Sequence, residues 1–414
     1  MADREERLDL TGQRICIVGM HYAPETTGNA PYTTVMAREL VRAGAQVHVV
    51  TGVPHYPAWR VTDSRYRRGV VWREVDHGVR LTRLRHAVPR DPTLLGRARM
   101  ELSFFLLALP VVLLSRSTVI ISVTPMLSAL AAGVVGGRRR RLGVLVQDLT
   151  GNGAEQSGAT GGTAAGLIRS CEYALLRRAA RVGVITPRFG AILERHGVPE
   201  ERLVELPNFA HINGSSLTRD EARARLGWPT DPYLVVHTGN MGMKQGLESV
   251  VEAARSADRR GADIVFVLVG DGNQRRALES LAGGTPGLWF VDPVDAEDYP
   301  AVLAAADALL LNEKPGVTEM SMPSKLTSYA AAGRAIVAAV EAGGITSTVL
   351  DRWQAAKMVP AGDAGALLQA VLELRQDAPT ADALADSARR LYEEEFDEAA
   401  GRRRYRRFVR QVAQ

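Results

Sequence analysis

Short apolar runs alternate along this chain with longer segments whose apolar residues recur at helical spacing. That alternation is the signature of βαβ units, in which parallel strands are buried on both faces by helices. Arg14 to Met20 predicts a first strand, followed by a loop of small and polar residues from His21 to Ala30. Pro31 opens a helix reaching about Ala43, Gly44 ends it, and Ala45 to Thr51 predicts the next strand. Further strands are predicted at Val79 to Arg85, Thr118 to Val123, Leu142 to Val146 and Arg181 to Thr186. Helices fall between them at about 97–115, 125–135, 165–179 and 187–196. The stretch Gly151 to Gly166, rich in Gly, Thr and Ala, reads as a mobile loop beside a site, because strand and helix continue to alternate beyond it.

The pattern breaks at Pro207-Asn208-Phe209 and restarts at Tyr233. Strands are predicted at 233–238, 263–269, 288–291, 308–311, 335–340 and 356–359. The expected architecture is α/β, with two Rossmann-like, doubly wound domains facing each other across a cleft. The first spans 14–208 and the second 209–395. Residues 396–414 form a helix, with Tyr405, Phe408 and Val412 on one face, that packs back across the domains. Ligands are expected in the crevice, at the carboxyl ends of the strands.

A chain of 414 residues is too long for one ordinary core, which agrees with two domains. The net charge of +5 is small for this length and no aromatic-basic pattern accompanies it, so no nucleic-acid partner is expected. Cys16 and Cys171 lack metal-ligand spacing and read as two buried thiols in a reducing cytosol. Met1 to Gln13 is charged, without the apolar centre of a signal peptide, and reads as a disordered lead-in. The longest apolar run, Leu102 to Leu114, falls short of the roughly 20 residues a spanning helix needs. Its aromatic pair Phe104-Phe105, together with the run Arg138 to Arg141, suits either a buried helix with a solvated arginine face or peripheral contact with an anionic membrane surface.

The chemistry concentrates in two loops of the second half. Met322-Pro323-Ser324-Lys325-Leu326 follows the apolar run Ala308 to Leu311 and reads as loop and helix start. Pro323 suits the first helical position, and the unsatisfied N–H groups there, with Lys325, make an anion site. Upstream, Val235 to Gly239 predicts a strand leading into Asn240-Met241-Gly242-Met243-Lys244-Gln245-Gly246. Only four of the 51 basic residues are lysines, Lys244, Lys314, Lys325 and Lys357, and three of them follow predicted strands of this half. A compact ammonium differs from the planar guanidinium used elsewhere. Lys244 and Lys325 are therefore expected to hold a diphosphate.

The segments His21-Tyr22-Ala23-Pro24-Glu25-Thr26-Thr27-Gly28, Pro54-His55-Tyr56-Pro57-Ala58-Trp59, Gln147-Asp148, Pro207-Asn208-Phe209, Gly239 to Leu247, Val269-Gly270-Asp271-Gly272 and Pro323-Ser324-Lys325-Leu326 run in one order across nearly the whole chain. Together they resemble glycosyltransferase family 4, the retaining GT-B enzymes, and most closely its colanic-acid-type exopolysaccharide branch. The resemblance implies transfer of a sugar from a nucleoside-diphosphate sugar, with retained anomeric configuration, no obligatory metal, and no cofactor besides that co-substrate. It assigns Lys244 to the donor phosphate, with Lys325 assisting. Gly28, Gly239, Asn240, Gly242, Gly270, Gly272, Pro323 and Ser324 would line the nucleotide's path. Asp148 would face the sugar or acceptor. The family's paired glutamates would fall on Met320 and Ser328, with Glu319 one place early as a replacement for the first.

On the acceptor side, His21, Glu25, His55 and Tyr56 are candidates. His21 suits an acceptor-site base or a structural histidine, and Glu25 an orienting group or a solvated carboxylate. His55-Tyr56 with Trp59 suits a sugar-stacking platform or plain packing. Asp271 suits the cap of a helix at Gly272-Asn273, the favoured reading, or a contact to the base or ribose. The resemblance implies a cytoplasmic enzyme, in possible contact with the inner membrane face, using a lipid-linked saccharide or a small-molecule aglycone as acceptor. Two rival readings are a GT-B sugar-nucleotide epimerase and a non-catalytic nucleotide-sugar-binding subunit.

Overall fold

The computed structural model describes residues 9–26, 28–90, 93–149, 162–210, 214–316 and 324–414. Two compact units emerge, one formed by Met1–Asn208 with Ala399–Gln414 and the other by Phe209–Glu398.

The first unit contains β1 (Arg14–Val18), β2 (Gln46–Gly52), β3 (Val71–Asp76), β4 (Val79–Leu84), β5 (Val119–Val123), β6 (Arg141–Val146), β7 (Arg181–Val184) and β8 (Leu203–Glu205). They form one sheet in the order β3-β4-β2-β1-β5-β6-β7-β8. Every neighbouring pair is parallel except β3 with β4. The strands β1 and β5 at the centre are buried from Ile15 onward and apolar but for Ser122, with Ile15 pairing both Val47 and Val119.

The sequence pattern did not predict β3. Its side chains alternate between half-buried and exposed, and Val71 and Val75 face solvent. It pairs through a tight hairpin whose two turn residues, His77 and Gly78, have φ of 46° and 83°. A positive φ at both turn residues matches the twist of antiparallel strands. An edge strand of this kind lacks the continuous apolar run by which its parallel neighbours were recognised.

Of the two readings of its apolar run, the helix Leu94–Leu114 matches neither complete burial nor complete exposure, being buried on one face only. Phe104, Ala108 and Val112 are buried, while Leu95, Leu102, Leu106, Leu113 and Leu114 are exposed. Cys171 likewise lies exposed, whereas Cys16 is buried in β1. The helix Glu398–Ala413 buries Tyr405, Phe408, Val409 and Val412. Phe408 and Val412 seat against Gly143 of β6, where a Cβ would come within 2.7 Å of Val412 Cγ2. Arg402 and Arg406 of this helix pair with the buried carboxylate of Glu39.

The second unit contains β9 (Tyr233–Thr238), β10 (Ile264–Val269), β11 (Leu288–Val291), β12 (Ala308–Asn312), β13 (Ala335–Val340) and β14 (Lys357–Pro360). Its order is β11-β10-β9-β12-β13-β14, and all pairs are parallel. The core gathers Val235, Phe266, Leu268, Leu310 and Val337 under the helices Glu248–Arg259 and Ala364–Gln376. Beneath it Arg223 is buried, donating to the carbonyls of Ala305 and Thr230 and pairing with Asp307, whose carboxylate also accepts from the Leu234 amide. A buried charge is tolerable only with such complete pairing.

Each sheet starts near its middle and then reverses direction. The first reverses between β1 and β5, the second between β9 and β12. At a reversal the loops leaving adjacent strands run to opposite sides, opening a crevice at the strands' carboxyl ends.

Candidate functional site

Most of the candidate residues occupy loops that leave strands at or next to these two reversals, and each group is built within its own unit.

In the second unit, the turn Met243–Gln245 that carries Lys244 is fastened to the end of β12. The Lys244 carbonyl accepts from the Lys314 amide at 2.8 Å, and Asn312 Nδ2 donates to the carbonyls of Gln245 at 2.7 Å and Gly246 at 3.0 Å. The turn is therefore fixed while the Lys244 side chain stays exposed, and among the described residues it has no ion-pair partner. The loops after β9 and β10 are zipped together. Gly239 N donates to Val269 O at 2.8 Å, Met241 N to Asp271 O at 2.8 Å, and Gln274 N to Met241 O at 3.0 Å.

This zipping supplies a steric reason for glycine at 270. Its φ is +138°, and a Cβ there would lie 2.1 Å from the Gly239 carbonyl oxygen. Gly272 is similarly crowded by the Met241 carbonyl. Asp271 does not cap a helix, correcting that expectation. It folds back on the Gly272 amide at 2.7 Å, and the helix Arg275–Ala282 starts after Gln274 without a side-chain cap. A shallow open depression beside it is lined by Asp271, Gly272, Asn273, Arg275, Arg276 and Glu279.

Lys325 enters the same region from the first turn of the helix Ser324–Ala332. Its Nζ lies 3.0 Å from His237 Nε2 and 3.9 Å from the position a Cβ would take on Gly239. Burial pulls the Lys325 ammonium down to about 7, against the raising influence of the Glu313 carboxylate. Burial also pushes the Glu313 carboxyl up, while Thr346 Oγ1 donates to it at 2.6 Å. The sequence reading named neither His237, Glu313 nor Thr346. His237 sits inside an apolar strand, where a histidine gives no signal of its partner.

Ser328, where a family glutamate would fall, is buried against Tyr299. Tyr299 and Tyr329 both hydrogen-bond Thr238 at the end of β9. These contacts fix the helix carrying Lys325 to the strand that precedes Lys244. Gly239, Asn240 and Gly242 lie in the loop between. Glu319 and Pro323 fall outside the described residues, as do most of the stretch 151–166 and the Ser324 side chain.

In the first unit, Glu25 is the organiser of the loop after β1. Its Oε2 accepts from His21 Nδ1 at 2.7 Å, and its Oε1 accepts from the amides of His55 and Tyr56, both at 2.8 Å. Burial raises the Glu25 carboxyl, but the hydrogen bond and charge of His21 and the two amides outweigh it, and the net shift is downward. The carboxylate stays ionised and, since it can only accept, fixes the His21 ring with Nδ1 as donor. Glu25 is thus not the solvated carboxylate of one of the two readings.

His55 is buried, donates Nδ1 to the Val53 carbonyl at 2.9 Å, and is shifted downward by burial. It supports the loop and exposes no stacking surface. Tyr56 and Trp59 are partly exposed, edge to face at 5.9 Å, with the Arg97 guanidinium over the Trp59 ring at 5.8 Å. Behind them His86 meets His55 edge to face at 4.6 Å, and burial lowers it to about 3. Glu101, absent from the sequence reading, accepts from the Ser128 amide at 2.8 Å, is pushed up by burial, and feels the charge of His21.

Gly28 has φ +64°, which favours glycine, while the nearest atom to a Cβ there would be Tyr56 Cε1 at 3.7 Å. Its neighbour Asn29 donates Nδ2 to the Thr124 carbonyl after β5 at 2.9 Å, tying the loop after β1 to the loop after β5. Asp148, after β6, is exposed and folds Oδ1 onto the Leu149 amide at 2.8 Å.

Among the described residues, His21, Glu25 and His55 are the group whose potential metal-ligand atoms lie within 4.8 Å of one another. The Nδ1 atoms and the carboxylate are already engaged: His21 Nδ1 with Oε2, His55 Nδ1 with Val53 O, and Oε1 with two amides. Through these atoms the set forms a hydrogen-bonded dyad and its support.

Residues 27–208 match the glycosyl transferase 4-like domain, and residues 232–377 match the glycosyl transferases group 1 domain. The chain is 30% identical over 357 residues to the putative colanic acid biosynthesis glycosyl transferase WcaI of Escherichia coli K12, covering 80% of this chain and 84% of WcaI. The chain belongs to glycosyltransferase family 4.

Solved structures agree on the fold of this glycosyltransferase. Sucrose-phosphate synthase from Thermosynechococcus elongatus superposes with a TM-score of 0.71 at 19% identity, over 94% of this chain and 96% of that one. HepE from Anabaena, in complex with UDP, does so with a TM-score of 0.67 at 14% identity, over 94% and 97%. The fold class is GT-B. Among the described residues of this family 4 member, no helix is long and apolar enough to cross a membrane.

Proposed function

We propose that this glycosyltransferase moves a hexosyl group from a nucleoside-diphosphate sugar to an acceptor hydroxyl with retention of anomeric configuration. The observation that carries this reading is the rooting of Lys244 and Lys325 at one strand reversal, the β9/β12 switch point. Negative charge builds on the diphosphate as the sugar departs. An ammonium on a fixed turn stabilises that charge more in the transition state than in the ground state. The loop backbone from Gly239 to Gly242 lies alongside and suits the nucleotide's path.

In the first unit His21, oriented by Glu25, suits the acceptor hydroxyl, with Tyr56 and Trp59 as an apolar flank for a sugar ring. The departing phosphate takes the acceptor proton, so no protein nucleophile is needed, and Asp148 orients the sugar or acceptor. HepE was solved with UDP and WcaI is named for colanic acid biosynthesis. These names support a nucleotide sugar, such as a UDP-sugar, as donor and a saccharide of cell-surface polysaccharide synthesis as product; a lipid-linked saccharide as acceptor is our own reading. The exposed leucines of Leu94–Leu114 suit a peripheral position at an anionic membrane face.

A thermal-shift screen against UDP-, GDP-, ADP- and dTDP-sugars tests the donor. Stabilisation by one sugar nucleotide is expected, and none by any would end the donor reading. NMR of the transfer product then tests the stereochemistry, and an inverted anomeric centre would end the claim of retention.

A further inference from the structure

His237 is fully buried at 0% exposure in the middle of the second sheet, and the chemistry proposed above does not use it. Its two ring nitrogens have different duties. Nδ1 lies 3.0 Å from the Leu310 carbonyl oxygen, which can only accept, so Nδ1 carries the proton. Nε2 then presents a lone pair, and it faces Lys325 Nζ at 3.0 Å. A neutral imidazole locked in this tautomer is an acceptor aimed at an ammonium.

Resting on the reading of Lys325 as a diphosphate ligand, we propose that His237 is a positioning residue that holds the Lys325 ammonium beside the Gly239 turn. The backbone carbonyl of one strand thereby sets which imidazole nitrogen faces the lysine of another element. The arrangement spans β9, β12 and the helix Ser324–Ala332, so it also ties the orientation of Lys325 to the sheet itself.

The other groups around this pair reinforce the assignment. Glu313, held by Thr346, is the carboxylate whose charge acts on Lys325. Tyr329, on the same helix, accepts from the Thr238 amide at 2.8 Å, and Tyr299 meets the Thr238 hydroxyl at 2.9 Å. Burial and the Lys325 charge both hold His237 neutral. Lys325 is charged below about 7 and loses its proton as pH rises through that value. Accepting a hydrogen bond from the ammonium favours its charged form, so removing the Nε2 acceptor must move this titration to lower pH.

Two substitutions separate the duties of the ring. His237→Asn reaches only as far as Nδ1 and keeps a donor for Leu310, while His237→Gln reaches as far as Nε2 and restores an acceptor for Lys325. The chain has four lysines, so lysine labelled with 13C at Cε gives few signals, and Lys325→Met identifies that of Lys325. In the intact protein the Lys325 signal should titrate at lower pH in His237→Asn and near the native value in His237→Gln. Pyrophosphate binding, measured by calorimetry below pH 7 and taken relative to native protein, should weaken about tenfold in His237→Asn and recover in His237→Gln.

An unchanged Lys325 titration in His237→Asn would overturn the positioning role. Native pyrophosphate affinity in that variant would do the same, provided Lys325→Met binds weakly. Native affinity in Lys325→Met would instead overturn the diphosphate reading on which the proposal rests.

Discussion

Replacing Glu25 with alanine removes one carboxylate and three hydrogen bonds, those of His21 Nδ1 and of the His55 and Tyr56 amides. The His55 amide bond is buried and that of Tyr56 partly so, so two backbone donors lose their partner. An unsatisfied buried donor costs about 1–3 kcal/mol, and water can reach the second one, so about 2–4 kcal/mol is expected in total. For a unit of this size each kcal/mol lowers the melting midpoint by roughly 2–4 °C, so a fall of roughly 5–15 °C follows. Glu25→Gln keeps an oxygen for the amides but loses the charge, and should cost only about 1 kcal/mol.

The pH dependence adds a second test. The folded Glu25 carboxyl titrates below its ordinary value of 4.5. A depressed carboxylate contributes stability that is present above 4.5 and lost as pH falls through the lower folded value. The gap between native protein and Glu25→Gln should therefore close in acid and stay open at neutral pH. Thermal unfolding followed by near-UV circular dichroism across this range measures both effects. An unchanged midpoint in Glu25→Ala would refute the reasoning.

Gly270→Ala places a Cβ 2.1 Å from the Gly239 oxygen at φ +138°, so it should abolish stabilisation by the donor nucleotide in a thermal-shift assay. Arg223→Ala takes one of two guanidinium partners from Asp307, which keeps Arg219 at 2.7 Å, and should cost about 1–3 kcal/mol in denaturant unfolding, with no direct effect on transfer chemistry. Leu102→Ser combined with Leu106→Ser should reduce co-sedimentation with anionic vesicles at low salt, because both side chains are exposed on one helix. Vesicle binding equal to that of native protein would remove this face from the membrane account.

Where the chain announced its structure, it did so through uninterrupted burial. Strands such as Val119–Val123 and Ile264–Val269 are apolar on both faces, so period and length identified them. The edge strand Val71–Asp76 was invisible for the same reason, since half of each pleat faces water. Loop positions of Lys244 and His21 followed from their place just after apolar strands. The partners did not. His237 finds Lys325 88 residues away, and Glu25 finds the Tyr56 amide 31 residues away, through pairing that no local pattern records. Gly270 was legible as a glycine that something must approach, but the atom approaching it is the Gly239 carbonyl of its own neighbouring loop.

The direct test of the donor account is the steady-state transfer rate of Lys244→Ala. Lys244 is exposed on a turn held by the Lys314 amide and the Asn312 side-chain amide, so the variant should keep its circular dichroism spectrum and melting midpoint. Its kcat should fall about 10²–10³-fold, the usual effect of removing one group aimed at developing charge. A folded variant that transfers sugar at the native rate would contradict the claim that this ammonium stabilises the departing diphosphate.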